Sequence, residues 1–163
     1  MQLRNLATIY ILDGNKILLM YRVGSRLFKE PLWVGVGGHF DPGELNDPTA
    51  CVLRELFEET GIKQHDIKNL TLKYITLRKT QGEIRQQYIF FAELAAPVNI
   101  IPCDEGETAW VETGKLDTLK MAANNKKCLR HYFETGQVDN DLYVCVSDLD
   151  GHEPFIHLTR LGE

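Results

Sequence analysis

Apolar residues along this chain fall mainly into short alternating or continuous runs separated by polar punctuation, the pattern of β-strands rather than of long helices. Residues 6–12 and 16–22 are two β-rich runs joined by Asp13-Gly14-Asn15, a turn signal that predicts a hairpin. Residues 24–31 read as loop, and an extended apolar run over 32–36 ends in the pair Gly37-Gly38. Residues 70–78 and 85–94 are longer strand candidates around the polar turn Thr80-Gln81-Gly82-Glu83, a second hairpin. The segment 95–107 carries Pro97, Pro102 and Gly106 and leads into a short strand at 108–111. A helix is predicted over 121–135, stopped by Gly136, and residues 142–146 and 155–158 flank Asp148-Leu149-Asp150-Gly151 as a last hairpin. Strands around a few helices, without regular strand-helix-strand alternation, give the α+β class.

A helical period appears in residues 48–60. Asp47 and Pro48 suit the N-cap and first helical position, and Gly61 suits the left-handed position that closes a helix. Ala50, Leu53, Leu56 and Phe57 fall on one arc, which is expected to dock on the core. Glu55, Glu58 and Glu59, at i, i+3 and i+4, project from another, with Arg54 beside Glu58. Like charges at this spacing repel by about a few tenths of a kcal/mol per pair, so a neutralising cation is the natural partner. An all-oxygen donor set suits Mg²⁺ or Mn²⁺ better than zinc. The other reading is a solvated acidic face. The glycine pair ahead of this helix removes two Cβ atoms, so backbone can approach a ligand there and the Gly37 carbonyl could join a metal shell.

Together these residues resemble the Nudix box, Gly-x5-Glu-x7-Arg-Glu-U-x-Glu-Glu-x-Gly-U with U aliphatic. Gly38, Glu44, Arg54, Glu55, Leu56, Glu58, Glu59, Gly61 and Ile62 fit it. The spacing departs once: nine residues, 45–53, separate Glu44 from Arg54 where the pattern has seven. Either Glu44 matches across a lengthened loop, or that position falls on Asn46 and lacks its carboxylate. The resemblance implies an α/β/α sandwich with a mixed sheet and metal-dependent hydrolysis of a phosphoanhydride. It also implies Mg²⁺, with Mn²⁺ as the substitute, on Gly37, Glu55, Glu58, Glu59 and a loop glutamate, with Arg54 orienting the carboxylates. Glu55, Glu58 and Glu105 are the candidate bases. Glu44 and Gly61 would be structural parts of the motif.

Weaker resemblance to MutT-like nucleoside triphosphate pyrophosphohydrolases extends beyond the box. It rests on Thr8 in the first strand, the entry from Trp33 to Gly38, the acidic segment before Trp110-Val111, and the helix ending at Gly136. Glu105, five residues before Trp110, is the first candidate for the loop ligand or base, with Asp104 and Glu107 as rivals and a solvated loop as the alternative. Arg22 could hold a phosphate bidentately or be a surface charge, and His39 could contact phosphate or be an exposed loop residue. Trp33 and Trp110 are candidates for pocket wall or core. In the oxidised-purine branch an asparagine commonly follows the entry tryptophan and reads the base; Val34 stands here, which points away from that substrate.

The 163 residues, 44% of them apolar, suffice for one core, so one domain over 1–163 is expected. A net charge of −5 opposes binding to polymeric nucleic acid and favours a small nucleotide or other diphosphate as partner. Cys51, Cys103, Cys128 and Cys145 lie far apart without a zinc-finger spacing, as expected of reduced thiols in a cytoplasmic protein. Neither a signal peptide nor a membrane span is expected. A nucleotide sugar such as ADP-ribose, a non-nucleotide diphosphate, a non-catalytic nucleotide sensor and a homodimer stay open.

Overall fold

The computed structural model describes residues 1–23, 30–80, 82–148 and 155–162. These form nine strands in one mixed sheet. They are β1 (Gln2–Asp13), β2 (Lys16–Arg22), β3 (Leu32–Val34), β4 (Val36–His39), β5 (Ile67–Thr80), β6 (Glu83–Leu94), β7 (Glu107–Glu112), β8 (Leu142–Asp148) and β9 (Phe155–Leu161), with helices α1 (Pro48–Thr60) and α2 (Ala123–Glu134). The main path runs β3-β2-β1-β6-β5-β8-β9, with β4 paired to β1 and β7 to β2. β1 and β6, and β5 and β8, are parallel; the other pairs are antiparallel.

The predicted first hairpin forms but opens at once. Only Leu12 with Ile17 and Asp13 with Lys16 pair across it; β1 then turns to β4 over Leu6 to Ile9, while β2 pairs β7 and β3. That fork leaves room between the sheet halves. The second hairpin and the 108–111 strand lie where expected, with longer strands than predicted, and α2 is shorter than the predicted 121–135. Most of the predicted loop 24–31 and most of the last turn fall outside the described residues.

Side-chain alternation assigns β1 to two cores. Ala7, Ile9 and Ile11 pack with Cys51, Val52 and Leu56 of α1, whereas Tyr10 packs with Cys128 and Leu129 of α2, Phe91 and Tyr74. One helix thus covers each face, the α/β/α arrangement of the Nudix-type fold. The caps of α1 are as predicted: the Asp47 side chain accepts from the Ala50 N–H and Gly61 adopts φ 75°.

Its buried face is as predicted only in part: Leu56 is buried and Leu53 packs against the core, but the stripe is shifted. Cys51, Val52, Leu56, Glu59 and Thr60 are buried, while Phe57 is 51% exposed and Ala50 is exposed. The helix is turned so that its stripe begins at Cys51. A carboxylate therefore enters the core edge where an apolar side chain was expected.

Candidate active site

Gly37 and Gly38 let α1 close on β4. Gly37 has φ 146°, and a Cβ there would lie 2.1 Å from the Ala7 carbonyl oxygen of β1. A Cβ on Gly38 would lie 2.6 Å from the Glu55 carboxylate, so the glycine pair sets how near that acid comes to β4.

Arg54 organises the carboxylates beside this contact. Its Nε and Nη2 donate to the two oxygens of Glu44 at 2.7 and 2.9 Å, and its Nη1 donates to Glu55 at 2.9 Å and Glu58 at 3.0 Å. Its Nη2 also donates to the His39 carbonyl at 3.0 Å. The longer loop therefore still brings Glu44 onto Arg54, through the 3-10 turn Pro42–Glu44, in which the Asp41 N–H donates back to Glu44. These hydrogen bonds hold the Glu44 carboxyl down to about 2.

The three box glutamates, expected on one arc, occupy three environments. Glu58 is exposed, with 56% of its side chain accessible. Burial raises the Glu55 pKa; Arg54 offsets part of that rise, and Glu58 and Glu44 add to it. Glu59 is 4% exposed, and burial pushes its pKa up to about 7 against the opposing pull of the Gly37 N–H and Arg22. Its Oε2 accepts from the Gly37 N–H at 2.8 Å. Its Oε1 is buried without a hydrogen-bond partner among the described residues, 3.8 Å from Arg22 Nη2.

Gly106, whose Cβ would meet the Tyr21 carbonyl at 2.6 Å, packs its loop on β2 and brings Glu105 into an ion pair with Arg22. Arg22 thus stands between Glu59 and Glu105. Glu107 opens β7 opposite Tyr21, is exposed, and does not line the cleft.

A cleft of about 750 Å³ opens over these groups, with Gly37, Gly38, His39, Glu55, Arg22, Asp104 and Glu105 on its wall. Glu58 and Glu59 lie behind or beside that wall. Trp33, a candidate substrate contact, does not line it. The alternation of β3 turns Val34 to the cleft and sets Trp33 against Tyr21, ring centroids 5.1 Å apart, at the margin of the α2-side core. Trp110 packs on the α1-side core. His39 lines the cleft with Nε2 3.1 Å from Arg4 Nη1, and burial together with Arg4, Arg85 and Arg22 lowers its pKa.

Among the described residues no three His, Cys, Asp or Glu side chains are gathered at metal-ligand distance. The carboxylates are divided between two arginines, Glu44, Glu55 and Glu58 on Arg54, Glu59 and Glu105 on Arg22. The donor set nevertheless fits a hard divalent ion. Glu59 Oε1 is a buried acceptor lacking a donor, and the raised pKa values of Glu55 and Glu59 mark a place short of positive charge.

Part of the cleft was not foreseen from the sequence: Arg4, Thr76, Arg78, Arg85, Gln87, Asn124 and Asn125 also line it. The one available signal was the polar alternation Arg85, Gln87 ahead of Ile89 on a strand otherwise apolar on that face.

The fold and this site are those of a hydrolase acting on phosphoanhydrides. The NUDIX domain family matches residues 2–132, and the chain belongs to the Nudix family; it is a Nudix hydrolase. A Bacillus subtilis (strain 168) protein that carries the provisional name 8-oxo-dGTP diphosphatase is 30% identical over 143 residues, covering 86% of this chain and 84% of that protein. The Bacillus halodurans mutator MutT protein superposes with a TM-score of 0.69 at 23% identity, over 95% of this chain and 97% of that one. A Caenorhabditis elegans Ap4A hydrolase superposes with a TM-score of 0.63 at 21% identity, over 82% and 96%.

Proposed function

We propose that this protein hydrolyses a nucleoside triphosphate, oxidised or not, to the monophosphate and pyrophosphate, with Mg²⁺ as cofactor and Mn²⁺ as substitute. The observation that carries the reading is Glu59, a buried carboxylate with one oxygen unpartnered behind a glycine pair that opens the backbone to a ligand. The name of the Bacillus subtilis relative supports a purine deoxynucleoside triphosphate.

Glu55, Glu58, Glu59, Glu105 and the Gly37 carbonyl would hold the ion, which supplies charge neutralisation at the diphosphate when bound. Everything else is done by the chain. Arg54, itself fixed by Glu44, holds Glu55 and Glu58 in one orientation. Glu55, with its raised pKa, is placed to take a proton from the attacking water at the cleft wall. Arg22 exchanges its contact with Glu105 for a phosphate oxygen as the substrate enters. Gly38, lacking a Cβ, lets the Glu55 carboxylate lie against β4.

The test is a panel of nucleoside triphosphates including 8-oxo-dGTP, with ADP-ribose and dinucleoside polyphosphates, assayed with Mg²⁺ for phosphate, pyrophosphate and nucleotide products. Pyrophosphate and monophosphate from a triphosphate are expected. Silence on every compound, with tight nucleotide binding retained, makes the protein a sensor and overturns the reading.

A further inference from the structure

The far end of the cleft is positively charged in a protein whose net charge is −5. Arg4 of β1 pairs in register with Arg85 of β6, and Arg85 pairs with Arg78 of β5. Residues directly opposite on neighbouring strands share a face, so three guanidinium side chains leave the same face in one row, strands about 4.8 Å apart. All three line the cleft, and Thr76 and Gln87 lie in the next row toward α2.

Like charges placed directly opposite on a sheet are destabilising, and nothing in β-pairing asks for them. One carboxylate, Glu83, answers two members of the row: Arg4 donates to it at 3.0 Å, and Arg85 also bonds to it. Arg78 has its Nε buried without a hydrogen-bond partner among the described residues, and the Ser147 hydroxyl, opposite it on β8, is likewise buried and unpartnered. Burial and the neighbouring Arg85 both lower the Arg78 pKa, which identifies a cation held without its counter-charge. Three guanidiniums against one carboxylate leave two positive charges among the described residues, the complement of a phosphomonoester near −2. Guanidinium forks also match phosphate oxygens geometrically.

We infer that the row Arg4, Arg85 and Arg78 is a second anion site, which binds a phosphate carried on the substrate at the end remote from the cleaved anhydride. From Gly38 of β4 to Arg78 of β5 the backbone crosses three strand spacings, roughly 14 Å. Two phosphates on one ribose lie closer together than that, and the arginine side chains make up the difference, Arg4 already reaching His39 beside Gly38, so a nucleoside phosphorylated on its 5′-oxygen and again on its 2′- or 3′-oxygen fits between the two. The inference deepens the reading above, since it places such a nucleotide in the same cleft.

The test is metal-free binding, so that it stands apart from any failure of hydrolysis. Isothermal titration in EDTA compares adenosine and guanosine 5′-monophosphates with their 2′,5′- and 3′,5′-bisphosphates. At least one bisphosphate is expected to bind tenfold or more tightly than its monophosphate, with a steeper fall on added salt. Arg78→Gln and Arg85→Gln should each abolish most of that advantage, and Arg78→Lys should keep part of it. Thermal melts establish folding, and Arg78→Gln should melt no lower than wild type because it relieves the Arg78–Arg85 opposition. Equal affinity for mono- and bisphosphates in the wild type overturns the inference, as does an advantage that survives both glutamine variants. A preference set by the base alone also overturns it, and makes the row a base-stacking surface.

Discussion

Replacing Glu59 by Gln tests whether this site lacks a positive charge, because the change keeps the shape of the side chain and removes its titration. The Glu59 pKa stands at about 7 in the folded protein against an ordinary 4.5. A carboxyl whose folded pKa is raised binds more protons folded than unfolded, so stability is full below pH 4.5 and falls as pH rises toward 7. The difference is worth about 3 kcal/mol at pH 8, at about 1.36 kcal/mol per pH unit. Glutamine can still accept from the Gly37 N–H, but leaves an amide where Oε1 now lacks a partner, at a cost of about 1 kcal/mol. In EDTA, Glu59→Gln should therefore be less stable than wild type by about 1 kcal/mol at pH 4.5 and more stable by about 2 kcal/mol at pH 8. That second difference corresponds to a melting temperature higher by roughly 4 to 8 °C for a chain of this length. Millimolar Mg²⁺ should stabilise the wild type and not the variant, narrowing the gap at pH 8. Urea unfolding at both pH values reads the effect directly. Curves for the two proteins that stay parallel across pH, with Mg²⁺ acting equally on both, would refute the reasoning.

Glu44→Gln removes the bidentate partner of Arg54 and should cost about 1.5 to 3 kcal/mol in urea unfolding at pH 7, together with a fall in kcat as Glu55 and Glu58 lose their fixed neighbour. Because the Glu44 pKa is held at about 2, its contribution is present above pH 4.5 and lost as pH falls toward 2, so the variant and wild type should converge in acid. Gly38→Ala drives a Cβ into the Glu55 carboxylate and should raise the Mg²⁺ concentration needed for half-maximal turnover by tenfold or more, read by metal titration of the activity. Away from the site, Lys73 is 2% exposed and donates to the Asp139 side chain at 2.5 Å and its backbone carbonyl at 2.7 Å; Asp139→Ala removes the counter-charge while leaving the carbonyl, and should cost about 3 kcal/mol in thermal or urea melts, without changing the metal requirement.

Local chemistry made much of this molecule legible from sequence. The caps Asp47, Pro48 and Gly61, the turn at Asp13-Gly14-Asn15 and the alternating strands follow from backbone preferences that act within a few residues, and each element lies where those preferences put it. The rotation of α1 was not legible. Apolar count favoured Phe57 inside, but close approach at Gly37 rewards a buried acceptor, and Glu59 takes the place. Trp33 could be pocket wall or core, and strand alternation decides for the core by turning its neighbour Val34 to the cleft. Glu44 could be placed only in three dimensions, since the lengthened segment folds back in a turn, the Asp47 N–H donating to the Glu44 carbonyl at 2.8 Å, before α1 begins. Arg78 opposite Arg85 follows from the predicted hairpin, but Arg4 joins them through a parallel pairing that no local signal encodes.

Charge is distributed unevenly across the cleft. At the α1 end, six carboxylates are divided between Arg54 and Arg22, so each arginine occupies a position where a divalent ion would also neutralise them. Across the cleft, Arg4, Arg78 and Arg85 exceed their one carboxylate, Glu83. A chain of net charge −5 repels anions at long range, and salt screens that field beyond about 10 Å at 0.1 M. Inside the cleft the local imbalance governs instead. On the proposed reading an anionic substrate would be held where positive charge lacks a partner, and a cation where Glu59 does. Arg4, Arg78 and Arg85 line the cleft while Glu59 sits off its wall, held by the Gly37 N–H, so on that reading metal and nucleotide would stabilise each other without either displacing the other.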